Sequence, residues 1–180
     1  MSDADPFEAF VRRYQDLVFA TAVRLLGRPA DAEDVAQTVF LRAFQRFDDL
    51  RDSATVAGWL KTVTTNAALN HLTRYRSRWR LFSELDAAHE TPGDPPARAY
   101  EDTLAASDIS AAQVLENADE QQRIEQALYG LPDHQRVPLV LFHFENLSYQ
   151  QIADMLGVSL GKVKTDIHRG REALRQALTV

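Results

Sequence analysis

The chain has 180 residues, 45% hydrophobic and 26% charged, with a formal net charge of −6 and no cysteine. That balance belongs to a soluble globular protein of one domain or two small ones and excludes wholesale disorder. Without thiols there is no disulfide framework, thiolate zinc site or cysteine redox switch.

The acidic total conceals a segregated charge: −3 over residues 1–50, +5 over 51–80, −9 over 81–120 and +1 over 121–180. A generally sticky nucleic-acid binder is therefore excluded, but two local segments are neutral to basic. The opening MSDADPFEAF lacks a basic start followed by an apolar run. No stretch approaches the ~18 apolar residues of a membrane span, which predicts a cytoplasmic protein without membrane insertion.

From Phe7 to Leu26 apolar residues recur at the spacing of one helix face, through Phe10, Val11, Tyr14, Leu17, Val18, Ala22 and Leu25. Gly27 and Pro29 end that helix. A second helix is expected to start near Asp31, with Asp31 as its cap and a buried stripe of Ala36, Val39, Phe40, Ala43, Phe44 and Phe47. After the polar DDLRDSAT, a third runs from about Val56 through Trp59, Leu60, Val63 and Ala67 toward Arg80. Three such helices can share a core, which predicts an all-α domain over about 5–80.

Between residues 81 and 110 the periodicity dissolves into ELDAAHETPGDPPARAYED, which reads as an acidic, proline-containing flexible linker. Helical periodicity resumes at about Ala111 and defines a second domain to residue 180. Gly130 stops one helix, Pro132 opens the next, and Pro138 sits inside it.

Ser148 and Gln151 form a capping-box pattern, and Ser159 is placed to cap the last helix. Ile152, Ala153, Leu156, Val158, Val163 and Ile167 can make a small core between two helices joined at Gly157, a helix-turn-helix. Lys162, Lys164, Thr165, His168, Arg169, Arg171 and Arg175 are left outside, a pattern suited to the major groove. Basic groups at a helix end also complement its dipole, but that account leaves the IADMLGVS spacing and both caps unexplained.

Taken together, DAEDVAQTVFLRAFQRF, GWLKTVTTNAALNHLTRYRSR and LPDHQRVPLVLFHFENLSYQQIADMLGVSLGKVKTDIHRGREALR resemble the sigma-70 family, most closely its extracytoplasmic-function (ECF, group 4) branch. The resemblance implies two helical domains, region 2 and region 4. It implies core RNA polymerase as partner, through the clamp helices of the large subunit and the flap, together with promoter DNA and an anti-sigma factor. It assigns polymerase binding to Asp34, Gln37, Thr38, Leu41, Arg42 and Gln45. Minus-ten recognition and melting fall to Asn66, Asn70, His71, Arg74, Tyr75, Arg76 and Arg78, with the loop from about Asp48 to Ala57 pocketing a flipped base. Minus-35 reading falls to Ser159, Lys162, Lys164, Thr165, His168, Arg169 and Arg171. Asp166 departs from the family's usual basic or small residue; it turns away, pairs with a base such as Lys162, or accepts a cytosine amino group. The linker is implied to run through channels of the polymerase that hold polyanions.

The alternative is a stand-alone helix-turn-helix transcriptional regulator with an α-helical sensory domain, which predicts a symmetric dimer and duplex binding without polymerase. An enzyme is not expected: His71, His89, His134, His143 and His168 fall in separate elements, without H-E-x-x-H, a phosphate-binding glycine loop or a nucleophile elbow. No cofactor, metal or small-molecule substrate is expected either.

Overall fold

The computed structural model describes residues 5–72 and 118–179, and every regular element among them is a helix. The chain divides into two units, Met1–Thr73 and Arg74–Val180. The expected linker, residues 81–110, lies outside the described residues, as do 73–80 and 111–117.

In the first unit, α1 (Pro6–Leu26) begins where the Asp5 carboxylate accepts the Phe7 N–H at 3.0 Å and Pro6 supplies a preset φ. It ends at Gly27, whose φ of 70° places it in the left-handed region, with its N–H on Val23 O at 2.7 Å. Helix α2 (Pro29–Gln45) starts two residues before the expected Asp31. Pro29 needs no partner for an amide it lacks, so the helix opens on it, and Asp31 falls within the first turn rather than at the cap. A short helix, α3 (Phe47–Leu50), turns the chain into α4 (Val56–His71).

Helices α1, α2 and α4 pack pairwise around one core. Val18, Ala22 and Leu25 of α1, Ala32, Val39 and Ala43 of α2, and Leu60 and Ala68 of α4 have no solvent exposure. Alanine recurs where the helices meet, which lets their axes approach closely. Buried Thr21 and Thr64 satisfy their hydroxyls on the carbonyls one turn earlier, Leu17 O at 2.8 Å and Leu60 O at 2.6 Å.

The buried stripe of α2 is rotated from the expected one: Ala32, Val35, Val39 and Ala43 are buried, whereas Phe44 is 61% exposed. Phe44 follows Ala43 by about 100° around the helix and leaves the core side. Its ring meets Phe7 edge-on at 4.9 Å, in an aromatic cluster that reaches inward through Phe47 to the buried Phe10.

In the second unit, α5 (Ala118–Tyr129) is followed by α6 (Asp133–His143), with Pro132 just outside as N-cap and Pro138 buried within the helix. Arg136 is also buried; its guanidinium donates to Leu131 O at 2.9 Å and to the Asp133 carboxylate, so no desolvated charge stands unpaired. Helix α7 (Tyr149–Leu156) opens on the expected capping box, Gln151 N–H to Ser148 Oγ at 3.2 Å and Ser148 N–H to Gln151 Oε1 at 2.9 Å. It closes on Gly157 at φ 69°, after which Ser159 Oγ accepts the Lys162 N–H at 3.1 Å and α8 (Leu160–Thr179) begins.

Ile152, Ala153, Leu156, Val163 and Ile167 are buried as expected for a helix-turn-helix; Val158 is half-buried. Helix α8 rests on α6, and at Gly170 a Cβ would lie 3.3 Å from Gln135 O, so this crossing is set by the missing side chain.

Candidate functional site

Each unit carries its own candidate surface. On α2, Asp34, Gln37, Thr38, Leu41, Arg42 and Gln45 are all exposed. Leu41 is 66% exposed and Phe44 61%, beside Phe19 of α1. Together with Phe7, Val11 and Phe40 they line an open groove of about 870 Å³ between α1 and α2, rimmed by Asp16, Glu33 and Gln37. A groove with an apolar floor and an acidic rim suits an amphipathic helix with flanking basic residues. Sequence reasoning missed Phe44 by placing it in the core. Its position three residues after Leu41 and seven after Gln37 is the signal that puts it on their face.

On α4, Asn66, Asn70 and His71 are exposed. Thr62, absent from the sequence-based set, continues the same ridge one turn earlier; its hydroxyl donates to Gly58 O at 3.0 Å. His71 Nε2 lies 3.4 Å from the Asp31 carboxylate. Arg74, Tyr75, Arg76 and Arg78 lie outside the described residues. Of the expected base-pocketing loop, Asp48–Leu50 belongs to α3, while Ser53 and Thr55 pair their hydroxyls at 3.0 Å ahead of α4.

On α8, Ser159 and Arg169 are exposed, and Lys164, Thr165 and His168 are half-buried along one side. Lys162 and Arg171 are engaged within the unit. The Lys162 ammonium sits 3.0 Å from Asp166 Oδ1, with side-chain exposures of 9% and 1%. This answers the open question about Asp166: it is turned inward and paired with Lys162. The Arg171 Nε–H donates to His143 Nε2 at 3.1 Å, and the guanidinium lies 5.5 Å from the centre of the Phe142 ring. Phe142 stacks on Tyr149 at 4.8 Å. Burial raises the Tyr149 phenol above its ordinary 10.0, opposed by the charge and hydrogen bond of Arg171.

Among the described residues no group of three or more His, Asp or Glu side chains is placed to hold a metal ion, and no helix is long and apolar enough to cross a membrane.

Comparison with known proteins matches two segments of the chain to a family. Residues 10–78 match Sigma-70 region 2 and residues 121–174 match Sigma-70, region 4. The chain is 36% identical to the ECF RNA polymerase sigma factor SigE of Mycolicibacterium smegmatis over 96% of its own length, spanning 61% of that protein. It is 30% identical to the ECF RNA polymerase sigma factor SigW of Bacillus subtilis, over 98% of this chain and 90% of SigW. The RNA polymerase sigma-H factor of Pseudomonas aeruginosa is 31% identical, over 98% and 88% of the two chains. Among solved structures, RpoE of Bartonella quintana, crystallised with the anti-sigma factor NepR, has a similar fold at 22% identity and a TM-score of 0.50, covering 96% of this chain and 98% of that one. With both regions present in order, and with relatives matched over nearly their whole length, the chain belongs to the sigma-70 family, among its extracytoplasmic-function sigma factors.

Proposed function

We propose that the chain is a dissociable initiation subunit that binds core RNA polymerase and directs it to a particular set of promoters in the cytoplasm. In this reading the exposed α2 face, Asp34, Gln37, Thr38, Leu41, Arg42 and Gln45 with Phe44 added, docks on the clamp helices of the large subunit. Apolar centres ringed by polar groups are what tight protein interfaces use. Region 4 docks on the flap. The exposed Asn66, Asn70 and His71, together with Arg74, Tyr75, Arg76 and Arg78 that follow them in the sequence, take the minus-ten strand as it separates.

Helix α8 enters the major groove at the minus-35 element with Lys164, Thr165, His168 and Arg169, flanked by Ser159 and Arg171. Bond making and breaking are left to the polymerase. An anti-sigma factor would silence the chain by covering the α1/α2 groove, competing with the clamp for Leu41 and Phe44.

The observation that carries the reading is the joint presence, in one chain and in family order, of region 2 with its exposed apolar α2 face and region 4 with its capped helix-turn-helix. Gel filtration with core polymerase tests it: the chain should co-elute with the enzyme when no inhibitor is present. Elution apart from the enzyme, together with specific duplex binding by the isolated chain, would instead favour a stand-alone regulator.

A further inference from the structure

We propose that Arg171 serves promoter recognition as a positioning residue: it fixes the angle of α8 on α6 through His143 and Phe142, in place of the DNA contact that the family resemblance implies for it. The inference rests on the reading of α8 as the minus-35 helix.

The packing of α8 supplies the frame. Gln135, Leu139 and His143 recur every four residues along one side of α6. At Gly170 a Cβ would lie 3.3 Å from Gln135 O and 3.5 Å from Leu139 Cδ2, and the next residue, Arg171, reaches His143. From Gln135 to His143 is a distance of about 12 Å along the helix axis. A contact at one point leaves two helices free to pivot, whereas contacts that far apart fix their crossing direction. The direction of α8 decides which of its side chains can meet base edges.

The chemistry of Arg171 suits that task. It follows Gly170 and stands one turn after Ile167, both buried, so its side chain leaves α8 at the edge of the packed side. Its inner nitrogen, Nε, donates to His143 Nε2 at 3.1 Å, which orients the plane of the guanidinium, and the group lies 5.5 Å from the centre of the Phe142 ring. Phe142 in turn stacks on Tyr149, the first residue of α7, whose phenol also takes a hydrogen bond from Arg171. One side chain thereby joins α8 to the end of α6 and the start of α7. Lysine would bring a charge there, but neither a donor at that inner position nor a planar group for the ring, so the arrangement requires arginine. A phosphate ligand carries no such requirement, because a point charge serves.

The test is closed-complex formation by reconstituted holoenzyme on a promoter fragment selected by transcription, with the position of α8 on the DNA read by a cleavage reagent. The chain has no cysteine, and a Cβ at Gly161 meets nothing within 4 Å, so Gly161→Cys accepts an iron chelate near the start of α8 before reconstitution. Holoenzyme carrying this label should cleave at the minus-35 element. Adding Arg171→Met or Arg171→Lys should in each case weaken affinity about tenfold, displace or broaden the cleavage, and leave the slope of log K against log salt unchanged. Arg171→Lys carries the test if Arg171→Met fails to fold. A phosphate ligand behaves otherwise: Arg171→Lys keeps the parent's affinity, and Arg171→Met flattens the slope by about 0.9 with the cleavage in place. Either of those results overturns the inference, as does a loss of thermal stability with parental affinity and cleavage. If the labelled Gly161→Cys holoenzyme binds the promoter without cleaving at the minus-35 element, the assignment of α8 falls, and the inference with it.

Discussion

Asp31, in the first turn of α2, lies with its carboxylate 3.4 Å from Nε2 of His71, in the last turn of α4. The carboxylate stands at the positive end of one helix dipole and the imidazole at the negative end of another, so each group is placed favourably before the pair forms. The contact fastens the start of the helix proposed to face the polymerase to the end of the helix proposed to take the melted strand. Both side chains are about one-third exposed, 34% and 36%, so solvent screens the pair. Asp31→Asn should therefore lower stability by less than about 1 kcal/mol, read as a small drop in the urea midpoint. A larger effect on promoter opening than on closed-complex formation would show that the contact also positions α4.

Leu41 and Phe44 separate folding from docking. Because Leu41 is 66% exposed, Leu41→Ala should change the urea midpoint little, within about 0.5 kcal/mol. The same substitution should weaken association with core polymerase by about 2 kcal/mol or more if it anchors the interface, a roughly thirtyfold loss. Phe44→Ala should behave alike in binding and cost somewhat more in stability, because its ring also meets Phe7. Titration of labelled core enzyme with each variant measures the first quantity, and urea denaturation the second.

The turn of the helix-turn-helix is held by backbone geometry. Gly157 has φ 69°, a region where a side chain costs about 1–2 kcal/mol. Gly157→Ala should thus destabilise the second unit by about that much, and Ser148→Ala, which removes half of the capping box, by about 1 kcal/mol. Thermal unfolding followed by circular dichroism checks both.

Tyr149 gives the second unit a defined alkaline limit. Burial lifts its folded-state pKa above the ordinary 10.0, with Arg171 opposing, so the native state holds this proton where the unfolded chain releases it. Its contribution to stability is fully present below pH 10.0 and is lost as pH rises through the folded pKa. Comparing urea midpoints between pH 8 and 11 should show a steeper alkaline decline in the parent than in Tyr149→Phe.

Where local chemistry decides structure, the sequence was readable. The Ser148 and Gln151 box, the glycine at 157 and the Ser159 cap all lie within a few residues of the groups they satisfy, and each is found as expected. Placement failed where packing against a distant element decides. Periodicity placed both Ala43 and Phe44 on the buried side of α2, and only the alanine is buried there. The start of α2 moved because Pro29 accommodates a first helical position better than Asp31 requires one.

Asp166 was the least legible. A charged residue on a helix of this composition is assigned to solvent, and Asp166 is buried beside the Lys162 ammonium one turn back, itself held almost out of water. The family motifs located the helix proposed to face DNA, but not the inward pairing of Lys162 with Asp166.

The most direct test of the central claim is run-off transcription from fragments of the source genome with core RNA polymerase, with and without the full chain. Discrete transcripts that appear only with the chain, and that weaken in parallel for Leu41→Ala and Arg169→Ala, are the predicted result. An unchanged transcript pattern, with core polymerase active and the chain folded, would contradict it.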